Sequence, residues 1–184
     1  LVFQCQPHEL QQPLPIPAGT TFVGIDSQVR RAPDNTTYRD TRIAASMART
    51  IIARMTRELA GRPNAKDPTN GYLANITPEL FTRYFRPILP DLLRGDTFLA
   101  DYGPTSDRLT TVDPAATYRP RAAAEHHISE NARVQKFVQL LKDAAYPAAP
   151  QRTELLTAAG ELMRQSHRSY SDLAQLGTPQ TDLL

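Results

Sequence analysis

Residues 22–59, FVGIDSQVRRAPDNTTYRDTRIAASMARTIIARMTREL, decide how this chain is read. Phe22, Val23 and Ile25 form a short apolar run, with Gly24 allowing close backbone approach, and the run predicts a strand over 21–26. Asp26 and Ser27 end it with side chains that bond nearby backbone groups. Pro33, Asp34 and Asn35 are turn formers, and Thr36 or Thr37 is placed to cap a helix. Beyond them Ile43, Met47, Ile51 and Met55 recur at every fourth position, and Ala44, Ala48 and Ile52 broaden the stripe. That spacing predicts an amphipathic helix over 39–60, stopped by Gly61 and Pro63. A strand that ends in polar residues before a helix N-terminus is a common place to hold an anionic or hydroxyl-rich ligand.

Upstream, residues 1–5 (LVFQC) read as a strand. Residues 7–19 hold four prolines and a glycine, which makes them an extended connector with a strand-like portion and a candidate domain boundary. Downstream of a polar loop at 62–71, Thr77-Pro78-Glu79 is a helix start with Thr77 as N-cap and proline at the first helical position. Leu80, Phe81, Tyr84 and Phe85 then give an aromatic-rich packing face, broken by Pro87 and Pro90. Residues 91–102 predict further helical turns, and 103–127 an irregular segment with a short extended piece at 109–112. Two longer helices follow at 129–145 and 151–173, joined closely enough to pack antiparallel. The expected fold class is α+β: three long helices against a small sheet, dominated by helix.

Composition narrows the function classes. Twenty-one basic residues against 19 acidic ones leave a net charge of +2, too balanced and too interspersed for a nucleic-acid footprint. No apolar run approaches the length of a membrane span. The lone cysteine, Cys5, permits no internal disulfide and points to a reducing compartment and a cytoplasmic protein. The first residue already lies within a strand-like run and no methionine precedes Met47, so the sequence reads as a piece of a longer protein. Local chemistry is sparse. The eight glycines are scattered and build no phosphate loop or dinucleotide fingerprint. His126 and His127 are adjacent, a spacing that rarely lets two rings share one metal. His167 sits beside Ser166 with no acid at diagnostic spacing, so it reads as structural.

Several blocks carry a family resemblance when taken in order. LVFQCQP is similar to the strand and connector after the catalytic aspartate segment of L-arabinokinase-like proteins, and GIDSQVRR resembles their strand, Asx-Ser and Val-Arg segment. GYLANITPELFTRYF, LRGDTFLADYG and TTVDPAATYRPRAAAEHHISENARV look like the bacterial arabinokinase-like branch. GELMRQSHRSY is similar to the galactokinase helix with the Leu-Met-x-x-Ser-His-x-Ser pattern. The chain thus resembles the C-terminal half of galactokinase/L-arabinokinase-type sugar kinases of the GHMP superfamily. The implied division is a remnant of the N-terminal kinase domain at 1–18 and an incomplete C-terminal domain at 19–184.

The reaction this resemblance implies is phosphorylation of a monosaccharide at its anomeric hydroxyl, with ATP and Mg2+ as cofactors of the intact enzyme and none bound by this segment alone. Its partners would be the sugar and the missing N-terminal kinase domain, with neither nucleic acid nor membrane. Carried over by position, Tyr38 matches the tyrosine that contacts the sugar, and Asp26, Ser27 and Arg30 match positions near the cleft. From the residues alone, Tyr38 also reads as a packing tyrosine, and Asp26 and Arg30 as a simple ion pair. Arg31 stands where the family usually has histidine, and residues 32–37 lack its Ser/Gly-rich spacing, which leaves the sugar open. No catalytic residue is expected in this segment. The phosphate loop and catalytic aspartate are expected upstream of Leu1, and a glycine-rich motif after Leu184. The rival reading is a non-catalytic, kinase-derived domain that senses a sugar or contacts a protein.

Overall fold

A computed structural model describes residues 2–5, 8–10, 13–30, 36–62, 64–146 and 151–183. Three long helices dominate it: α1 (Thr36–Leu59), α4 (Pro120–Ala144) and α5 (Arg152–Asp172). Two short helices, α2 (Pro78–Leu80) and α3 (Gly95–Tyr102), lie between α1 and α4. Two antiparallel strand pairs complete the α+β fold: β1 (Phe3–Cys5) with β2 (His8–Leu10), and β3 (Leu93–Arg94) with β4 (Thr117–Tyr118). The N-terminal hairpin keeps the expected first strand and gives the connector its strand-like portion. Phe3 sits opposite Leu10 and Cys5 opposite His8.

The α1 stripe is the core. Ile43, Met47, Ile51, Ala44, Ala48 and Ile52 are all at most 2% exposed, and they pack with Ala123, Ala124 and Ile128 of α4. Alanines on both helices let the backbones approach closely, so the isoleucines and Met47 fill the space between them. Phe81, Leu89 and Phe98 close the same cluster from the α2–α3 region, with Phe98 stacked on Tyr102 at 5.3 Å between centroids. The helix ends as its sequence requires. Gly61 takes a left-handed φ of +59°, and the Arg62 N–H reaches back to the Arg57 carbonyl. Thr77 caps α2, accepting from the Leu80 N–H at 3.3 Å.

Five expectations need correction. Residues 21–26 form no strand. Phe22, Val23 and Ile25 are 53, 77 and 64% exposed. A strand is defined by its neighbour's hydrogen bonds, and both described sheets are complete two-stranded pairs without it. The α1 helix starts at Thr36, so Thr36 and Thr37 lie inside it, while 31–35 fall outside the described residues. The segment 103–127 is not irregular throughout, because α4 begins at Pro120, the first-turn position where proline's missing N–H costs nothing. Extended pairing occurs at β4 rather than at 109–112. The aromatic face after Thr77 is narrower than expected as well. A π-turn over Phe81–Phe85 buries Phe81, while Leu80 and Tyr84 remain about half exposed at 47 and 51%.

Truncating Phe98 to alanine is expected to cost about 3–5 kcal/mol, the range for emptying a fully buried aromatic site. Val23→Ser, at an exposed position, should stay within about 0.5 kcal/mol. Urea unfolding of both variants measures the contrast, and comparable losses would mean that residues 21–26 are buried in solution.

Candidate functional site

The first turns of α1 carry the sequence-predicted site. Tyr38 stands on its outer face, 56% exposed. Four residues on, Arg42 lies on the same face one helical turn away, and the nearby Tyr38 phenol adds to the upward shift of its guanidinium. Asp107 receives Arg42 through Nε at 2.7 Å and Nη2 at 3.0 Å, a two-pronged ion pair. Asp107 also accepts from Thr110 Oγ1 at 2.6 Å and the Leu109 N–H at 3.0 Å. Hydrogen bonding from Arg42 holds the Asp107 carboxyl far below the usual carboxylate range, against the opposing effect of burial. The same bond raises Arg42 further above its already high value.

Thr41 Oγ1 on the neighbouring face bridges the Thr37 carbonyl and the Ala174 carbonyl, each at 2.9 Å. That bond ties the start of α1 to the chain leaving α5. A polar cavity of about 190 Å³ lies there, walled by Thr37, Asp40, Thr41, Arg119 and Gln175 among others.

Asp26, Ser27 and Arg30 precede α1. Asp26 Oδ1 accepts from the Gln28 N–H at 2.8 Å, and Ser27 Oγ from the Val29 N–H at 3.4 Å. Gln28 takes a left-handed φ of 59° between these successive turns. Asp26 and Ser27 are therefore joined by local backbone turns. Arg30 is exposed and forms no ion pair with Asp26, so the simple-pair reading fails. None of the four lines either of the two cavities, and the larger one lies elsewhere. It occupies about 520 Å³ between α4 and α5, with Phe22 across it and Val134, Phe137, Leu162 and Met163 in its walls.

The serine-histidine block of α5 divides its polar groups among separate partners. Ser169 Oγ shares a hydrogen bond with His126 Nδ1 at 2.9 Å. Ser166 Oγ donates to Glu130 Oε1 at 2.5 Å, and Arg133 Nε donates to Glu130 Oε2 at 3.0 Å. His167 Nε2 lies 3.0 Å from Asp182 Oδ1, which also accepts from Ser171. This is a structural seam: two bonds join α5 to α4 and a third fixes the C-terminal turn. It matches the structural role read for Ser166 and His167. His127 meets His126 only ring to ring, at 5.5 Å between centroids, and no group of three or more metal-ligating side chains converges among the described residues.

Arg42 and Asp107 were not visible to sequence reasoning, since they are 65 residues apart and an aspartate in a coil segment carries no pattern of its own. Arg42 had one available signal, its i,i+4 spacing from Tyr38.

Burial holds His126 below its ordinary value of 6.5, with Glu130 pulling it back up and Arg133 pushing it down. The unfolded chain therefore takes up a proton near pH 6.5 that the folded chain resists, and stability falls as pH drops below that value. Thermal unfolding from pH 7.5 to 5.5 is expected to show this loss, to which His127, lowered in the same direction to about 4, also contributes, and His126→Gln is expected to reduce the slope without abolishing it. An unchanged pH slope in the variant would remove His126 as its source.

No family model matches the chain, and no solved structure does. Among curated proteins, L-arabinokinase from Arabidopsis thaliana is 32% identical over 191 residues. That match covers 93% of this chain but 18% of the relative, so the chain spans less than a fifth of the relative's length. Across nearly all of its own length, then, this chain is similar to one segment of an L-arabinokinase, as its motif blocks indicated.

Proposed function

We propose that the chain forms one wall of the sugar cleft in an ATP-dependent sugar kinase that phosphorylates a monosaccharide at its anomeric hydroxyl. The observation that carries this is the L-arabinokinase match along 93% of the chain. The exposed phenol of Tyr38 on a long, well-buried helix is in keeping with it. In this reading Tyr38 hydrogen-bonds a ring hydroxyl and its ring shields the sugar from water, while Asp26, Ser27 and Arg30 border the cleft. Residues 1–18 belong with a preceding kinase domain, and 19–184 form most of the second.

Phosphoryl transfer needs magnesium to bridge the phosphate oxygens and a base to orient the nucleophile. The described residues hold no converging set of three or more acidic, histidine or cysteine side chains. Those functions fall to the parts of the protein beyond this segment. What remains for this wall is placement of the hydroxyl for in-line attack, a large share of the work in a reaction driven by positioning.

The test is ADP release by the full-length protein carrying this segment, with ATP, Mg2+ and a panel of free monosaccharides including L-arabinose and galactose. Sugar-dependent turnover is expected, with Tyr38→Phe raising the sugar KM about 3–10-fold, the loss of one hydrogen bond. Sugar binding without turnover would favour a kinase-derived sensing domain, and no response to any sugar would end both readings.

A further inference from the structure

We propose that Asp107 and Arg42 are positioning residues that fix the Tyr38 phenol in the sugar cleft. This rests on the cleft reading above and adds to it a residue from the coil between α3 and β4.

The geometry is unusually complete around Asp107. Its side chain is only 11% exposed, yet its two oxygens receive four donors: Arg42 Nε, Arg42 Nη2, Thr110 Oγ1 and the Leu109 N–H. A carboxylate held this way has little rotational freedom, and it passes that restriction to the planar guanidinium it grips on two prongs. Arg42 in turn lies one helical turn from Tyr38, at the i,i+4 spacing that brings helix side chains together. The arginine side chain is 41% exposed, so Asp107 rather than burial sets its direction. The line of positioning runs from a part-buried carboxylate, through a half-exposed cation, to an exposed phenol one turn away.

Among the described residues, every other ion pair has a more exposed carboxylate than Asp107. Arg94 with Asp96, and Arg164 and Arg168 with Glu161, are exposed and local in sequence. Arg121 of α4 reaches Asp91 in the bend before β3, but that carboxylate is 76% exposed. The Arg42–Asp107 pair crosses 65 residues and ends one helical turn from Tyr38.

A staple that merely pins residues 103–116 to α1 would use the same bonds, so the test must separate the two roles. Sugar KM, ATP KM, kcat and thermal midpoint are measured on the full-length protein for Asp107→Asn, Tyr38→Phe and the double variant. If Asp107 acts through Tyr38, each single change raises the sugar KM about 3–10-fold with ATP KM unchanged, and the double is no worse than the poorer single. Arg42→Lys, which keeps the charge and loses the two-pronged grip, should fall between the unmodified protein and Asp107→Asn. A second readout is independent of turnover: the carbon-13 resonance of the Tyr38 ring Cζ, assigned by its loss in Tyr38→Phe, should move in Asp107→Asn and in Arg42→Lys. Multiplying KM effects in the double variant, or a lowered thermal midpoint with sugar KM unchanged, would overturn the proposal. So would a stationary Tyr38 resonance. Turnover with multiplying effects leaves the cleft reading standing without this one, whereas an unmodified protein that phosphorylates no sugar removes both.

Discussion

Everything in this chain hangs on the burial of one stripe of α1. Ile43, Met47 and Ile51 lie one above another, with Ala44, Ala48 and Ile52 beside them, and all six are removed from water. At roughly 1.5–3 kcal/mol for each large side chain so buried, this stripe is a major driving force of the fold. Because α4 meets this stripe through Ala123, Ala124 and Ile128, the distance between the two helices is short and their rotation is fixed. The outer face follows from that rotation. Tyr38 and Arg42 are one turn apart on the same helix, so the register that seats Ile43 also aims the phenol.

The pairing of α4 with α5 obeys a different logic. Its apolar content is thin, with Ala159 and Leu162 the buried hydrophobic residues of α5. The register is instead set by discrete polar bonds, His126 to Ser169 and Ser166 to Glu130, in the antiparallel order that the helix directions require. Each such bond adds only about 1 kcal/mol net, but a slip of one turn would leave its partners unpaired, and that penalty makes the register selective. An apolar stripe therefore holds α1 against α4, and a hydrogen-bonded seam aligns α5.

What the sequence disclosed follows from this contrast. The fourfold spacing of the α1 stripe marks the helix in one glance, and Thr77-Pro78 and Gly61 mark their boundaries through backbone chemistry that acts locally. The beginning of α4 was hidden because its buried residues there are alanines among arginine, glutamate and histidine, with no bulky stripe to count. The strand expected at 21–26 failed for the opposite reason: an apolar run is a sufficient pattern but lacks a partner, and pairing is not a local property. At the site, Tyr38 could be named from a matched motif, whereas Asp107 could not, since only the folded chain brings it to Arg42.

A wall that holds no metal cluster among its described residues can still matter to a phosphoryl transfer. Under the proposed reading, the leaving group and the metal are handled elsewhere, and the wall decides where the accepting hydroxyl sits. A misplacement of about 1 Å can cost on the order of a hundredfold in rate. A phenol carried on a loop would wander by that much. On α1 it is carried by a helix whose inner face is close-packed, and its neighbour Arg42 is gripped by a part-buried carboxylate from a separate segment. Rigid elements hold reacting groups more closely than loops do. The core stripe and the Arg42–Asp107 pair thus serve the same end at different scales. The first fixes the helix, and the second orients what stands on its outer face.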